Sequence, residues 1–181
     1  MGGSAYRKDM SFHRALQHIL EAEGGYVHDP VDRGGATNYG ITQATYDRWL
    51  HPRSSMPVKE ITLAEVEAIY HDDYWVPIHA DDLPWPLCLV VFDAQVQHRP
   101  GVAMTILQNV VGSDVDGIWG PQTREAVQRL VERGETYEAA EAILWARLEL
   151  YCGIVRGRPE QGKFLRGWVL RMVRLRQAMH A

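Results

Sequence analysis

The sequence predicts a mainly α-helical protein in two parts, a first unit over residues 10–100 and a smaller helical unit over residues 101–181. Three observations carry this. Apolar residues recur at helical spacing through most of the chain. The turn formers Asp29-Pro30, Gly34-Gly35, Asn38 and Gly40 gather in one stretch that reads as a loop or small hairpin. Leu87 to Val96 is apolar nearly all round, as a buried helix is.

In chain order, residues 1–9 read as an appended leader, with Met10 as a native start. Phe12, Ala15, Leu16, Ile19 and Leu20 then define a short amphipathic helix, with Ser11 as its N-cap and Gly24-Gly25 as its end. After the loop of Tyr26 to Ile41, Thr42 to Leu50 is a short helix, and Thr62 with Glu65 makes a capping box that opens another. The turn at Asp81 to Pro86 precedes the buried helix, and a boundary falls near Pro100. Val102 to Val111 forms a helix stopped by Gly112, and Pro121 starts one with Ala126, Val127 and Leu130 inward. Tyr137 to Tyr151 and Phe164 to Met179 complete the set. The last of these carries Phe164, Leu165, Trp168, Val169, Met172 and Leu175 on one stripe, expected to be buried in the second unit.

Hydrophobic residues make up 46% and charged residues 23%, so the chain can bury a core and disorder is set aside. The net charge of -4 is unevenly spread, because Trp145 to Ala181 holds eight basic side chains against two acidic. Such a tail is either a solvated helix face or a contact for an anionic surface; a membrane or lipopolysaccharide contact is one expectation, and nucleic acid is not a partner. Cys88 and Cys152 are too few for a disulfide framework and lie in apolar stretches, which points to buried thiols and a reducing compartment of synthesis. With neither a spanning apolar run nor a signal-peptide pattern, synthesis is expected in the cytoplasm, with action on a target outside it after release or export.

Glu23 stands out physically. It lies four residues after Ile19 and seven after Leu16, which places its carboxyl on the apolar stripe at the C-terminal end of the first helix. There, burial and the negative end of the helix dipole would raise its pKa, as a glycosidase general acid needs. Periodicity leaves a second reading open, in which Glu23 is an exposed last-turn residue. Downstream, Asp32 and Thr37 stand in the turn-rich stretch, where a chain reversal would bring a carboxylate and a hydroxyl opposite Glu23. Asp32 is equally a turn residue by type.

The run Glu23-Gly24-Gly25-Tyr26-Val27-His28-Asp29-Pro30, continued by Asp32, Gly34-Gly35 and Thr37-Asn38-Tyr39-Gly40-Ile41-Thr42, resembles the signature of the glycosyl hydrolase 108 family of N-acetylmuramidases. Leu107-Gln108, Asp116-Gly117-Ile118-Trp119-Gly120-Pro121-Gln122-Thr123 and Phe164-Leu165-Arg166-Gly167-Trp168 resemble the peptidoglycan-binding domain that accompanies it. The resemblance implies a lysozyme-like catalytic domain and cleavage of the β-1,4 bond between N-acetylmuramic acid and N-acetylglucosamine, as in an endolysin. It makes Glu23 essential. The Glu, Asp and Thr spacing is similar to the triad of phage lysozymes, although there the Thr stands one place later, where this chain has Asn38. Tyr26, Asn38, Tyr39, Tyr74, Trp75 and Gln97 are the expected substrate contacts, Gln97 standing where relatives often carry an Asn-containing turn.

No cofactor is implied. The His and Asp residues include no His-Glu-x-x-His pair, and Asp114-Val115-Asp116-Gly117 has no Glu at calcium-loop distance. Two enzymatic outcomes, hydrolysis and lytic transglycosylation, stay open beside a non-catalytic wall-binding or secretion-accessory role and a membrane-active one.

Overall fold

A computed structural model describes residues 2–27, 35–51 and 56–180, with side chains from residue 10 onward. The order is α1 (Gly2–Glu23), a two-stranded hairpin of β1 (Thr37–Asn38) and β2 (Ile41–Thr42), α2 (Gln43–Leu50), α3 (Leu63–Tyr70), α4 (Leu87–Gln97), α5 (Val102–Val111), α6 (Pro121–Glu132), α7 (Thr136–Gly157) and α8 (Gly162–Met179). The fold is mainly α, as the spacing predicts, with the small antiparallel hairpin in the turn-rich stretch.

The local signals act as expected. Thr42 caps α2 by accepting from the Thr45 amide, and Thr62 and Glu65 form both halves of the capping box on α3. Gly24, at φ +78°, ends α1 in the left-handed conformation and its amide returns to the Leu20 carbonyl. One boundary differs. Helix α1 runs on from Gly2 through Ser11, so Ser11 is an interior residue and not a cap. The sequence also hides a turn of π-helix, His71–Trp75, which continues α3 and carries Trp75 into the core.

Helix α4 is the spine. Its residues from Leu87 to Ala94 are all buried, and α1, α5 and α7 pack around it. Phe12 of α1 meets Trp75 at 5.3 Å between ring centroids, and Trp75 meets Phe92 of α4 at 5.1 Å, both edge to face. Buried side chains form one connected core from Phe12 to Met179, so apolar packing continues across residue 100.

Helix α8 turns most of its predicted stripe inward, with Met172 and Leu175 buried and Leu165 and Trp168 packed against the core. Arg171, Met172, Leu175 and Met179 are buried, whereas Phe164, Val169, Leu170 and Val173 are exposed. Arg171 shares this inward face, where it meets interior carboxylates. Exposed Val169 and Val173 instead line a shallow groove with Leu144, Trp145 and Leu148 of α7. Cys88 is buried as expected, and Cys152 is exposed, contrary to its apolar setting in the sequence. Among the described residues no helix is long and apolar enough to cross a membrane.

Candidate active site

Glu23 is the last residue of α1, and Gly24 turns the chain away immediately after it. Two backbone hydrogen bonds, between the Val27 amide and the Thr37 carbonyl at 2.8 Å and between the Thr37 amide and the Val27 carbonyl at 2.9 Å, then fasten the following segment to β1. The hairpin turn is Tyr39-Gly40, with both residues at positive φ as a type I′ turn requires. This turn is pressed against Glu23. A Cβ on Gly40 would lie 2.7 Å from the Tyr70 hydroxyl, 3.0 Å from Glu23 Cγ and 3.1 Å from Glu23 Oε2. The Tyr70 hydroxyl donates to the Tyr39 carbonyl at 2.9 Å, tying the turn to α3.

From the other side comes Arg171 of α8. Its Nη1 donates to Glu23 Oε1 at 2.5 Å, and its Nε donates to Asp93 Oδ1 at 2.9 Å. Asp93, fully buried in α4, also accepts from Arg147 Nη2 of α7 at 2.6 Å. Burial alone would raise the Asp93 carboxyl, but Arg147 and then Arg171 outweigh it and hold it below the usual carboxylate range. The Arg171 guanidinium is likewise held charged: burial works against it, and Asp93 and then Glu23 more than compensate. Burial, then the nearby Glu23 carboxylate, pushes the Tyr70 hydroxyl far up, so Tyr70 is a neutral donor here. Glu23 itself keeps 23% of its side chain exposed, so it sits neither on a wholly apolar face nor freely in water. The apolar environment expected for it is replaced by an ion pair.

The expected site residues divide accordingly. Glu23, Tyr39 and Tyr74 are brought together around Tyr70, whose ring lies 5.3 Å from that of Tyr74. Thr37 heads the hairpin, and Tyr26, 42% exposed, lies between Glu23 and the Val27 bridge with Lys59 over its ring. Asp32 lies outside the described residues. Two expected contacts are corrected, and a third has structural partners. Trp75 is only 1% exposed, its indole donating to Asp81, so its face is unavailable to a sugar. Asn38 is buried and donates to the carbonyls of Val58 and Lys59, which makes it a strut between the hairpin and the following turn. The side-chain oxygen of Gln97 accepts from Tyr151 at 2.7 Å and Arg147 at 3.1 Å, so it serves the buried charges.

The residues that pattern reading passes over are Arg171, Asp93 and Arg147. Their signal was present: Asp93 is the lone charged residue of α4, and Arg171 falls three residues after Trp168 and four before Leu175, on the core-facing side of α8. A buried acid and a buried base each require a partner. Among the described residues no group of three or more His, Cys, Asp or Glu side chains is placed to hold a metal ion.

Comparison with known proteins agrees with this geometry. The model of the Glycosyl hydrolase 108 family matches residues 16–98, and that of the Predicted Peptidoglycan domain matches residues 102–173. A solved structure of SagA from Brucella abortus superposes with a TM-score of 0.78 at 34% identity, over 95% of each chain. No curated protein matches the chain. The helical frame, the acid at the end of α1 and these matches together lead to one conclusion: the chain belongs to the glycosyl hydrolase 108 family, as a lysozyme-like glycoside hydrolase acting on peptidoglycan, with a peptidoglycan domain as its second part.

Proposed function

We propose that the chain is an N-acetylmuramidase that cleaves the β-1,4 bond between N-acetylmuramic acid and N-acetylglucosamine, with Glu23 as the acid. The observation that carries this is the placement of Glu23: a carboxyl at a helix end, partly exposed, held from two sides by the Tyr39-Gly40 turn and Arg171. A group that protonates a glycosidic oxygen needs both access and a fixed direction. In the proposed reaction the Glu23 proton passes to the glycosidic oxygen and the bond from that oxygen to the anomeric carbon breaks. Water then adds to the anomeric carbon and yields its proton to Asp32, with Thr37 orienting the water. The outcome would be inversion. Residues 10–100 would carry the chemistry and residues 101–181 would help hold the strand, the protein acting on the wall after release or export and leading to lysis.

The test compares wild type with Glu23→Gln on purified peptidoglycan, following turbidity and new reducing ends. The expected result is a folded variant whose cleavage falls by about two orders of magnitude or more. Equal cleavage by both places the acid elsewhere. Mass spectra of the products separate the second outcome, since anhydro-muramic ends would mean that a substrate hydroxyl, and not water, completes the reaction.

A further inference from the structure

Four ionised side chains from four helices stand in series: Arg147 of α7, Asp93 of α4, Arg171 of α8 and Glu23 of α1. The first two are fully buried and Arg171 is 9% exposed, so solvent reaches the chain mainly through Glu23 at its end. Their alternating charges offset one another among buried groups, where charges are poorly screened.

The other groups facing this chain supply no substitute charge. His18 of α1 and His98 beyond α4 are each driven toward the neutral form, by burial first, and His98 is pushed down to about 4. Around His18, Glu21 and Arg174 oppose each other. Tyr70 of α3 and Tyr74 of the π turn are raised by burial and stay neutral, the latter flanked by Asp73 and Arg48. Arg171 is therefore the cation that answers Glu23, and it arrives from the segment that matches the peptidoglycan domain.

We propose that Arg171 is a positioning residue for Glu23: from the C-terminal segment it fixes the direction of the carboxyl at the end of α1, so that losing it slows cleavage without weakening substrate binding. The proposal rests on Glu23 being the acid. The guanidinium fork is essential to it, because one side chain must reach Asp93 through Nε and Glu23 through Nη1 at once.

The experiment measures kcat and KM for cleavage of purified peptidoglycan by the full chain and by Arg171→Met, Arg171→Lys and Glu23→Gln, with circular dichroism to confirm folding. Arg171→Met should lower kcat roughly ten-fold or more at unchanged KM. Arg171→Lys keeps a charge but cannot fork, so its kcat should fall likewise at unchanged KM. A folded Arg171→Met with wild-type kcat overturns the proposal, and so does Arg171→Lys with wild-type kcat. Should Arg171→Met fail to fold, the Arg171→Lys result decides. Wild-type cleavage by Glu23→Gln would remove the acid assignment itself, and this is separable because it does not depend on position 171.

Discussion

Gly40 is the residue whose chemistry is most narrowly determined. It must adopt φ +76°, and its Cα hydrogens face Glu23 and Tyr70 at a separation that leaves no room for a methyl group. Gly40→Ala should therefore cost about 1–3 kcal/mol of stability through strain and, independently, push Glu23 off its direction. A larger loss of cleavage than of melting temperature, measured on the same preparation, is the expected outcome; equal cleavage would show that the turn does not set the carboxyl. Glu23 was legible in sequence as a residue at the end of an apolar stripe, but its surroundings were not. Nothing local announces that a residue 148 positions away will lie on its carboxylate. Pair identity across such a separation is decided by packing, which a single helix's periodicity does not encode.

At the scale of elements, α8 shows an apolar stripe that also carries a charge inward. Of Phe164, Leu165, Trp168, Val169, Met172 and Leu175, the last two are buried and Leu165 and Trp168 pack against the core, while Phe164 and Val169 at the edges are exposed and Arg171 shares the inward face. The consequence is measurable. Leu175→Ala should cost about 2–5 kcal/mol in chemical denaturation, whereas Val173→Ala, 48% exposed, should change stability by less than about 0.5 kcal/mol. Similar losses at both would contradict this inward face. By contrast α3, α4 and α5 were readable almost to the residue. Their signals are short-range: a capping box, an apolar run of helix length and a glycine stop need no knowledge of the rest of the chain. The hairpin was visible as a cluster of turn formers, but its register depends on the Val27 bridge and could not be read from composition.

For the whole molecule, the buried charges and half-buried imidazoles make stability depend on pH. His98 is lowered from 6.5 to about 4 by burial and then by Arg147, and His18 is lowered for the same first reason. The folded protein therefore binds fewer protons than the unfolded chain as pH drops below 6.5, and stability is lost progressively from there toward 4. Asp93, held low by its two arginines, loses its contribution at still lower pH. The melting temperature should be level near neutrality and fall on acidification, and His98→Phe should make the fall shallower. A melting temperature constant down to pH about 4 would contradict the neutral burial of these rings.

The charge series also bears on how such a protein can be inherited. The segment matching the hydrolase family supplies both acids, Glu23 and Asp93, and the segment matching the peptidoglycan domain supplies both bases, Arg147 and Arg171. Neither segment balances its own interior charge at this site. A recombination event that grafted the first onto an unrelated neighbour would strand two acids, and the reverse graft two bases. Two modules that look exchangeable as text are thus bound to descend together, and changes at these four positions are expected to arise in oppositely charged pairs.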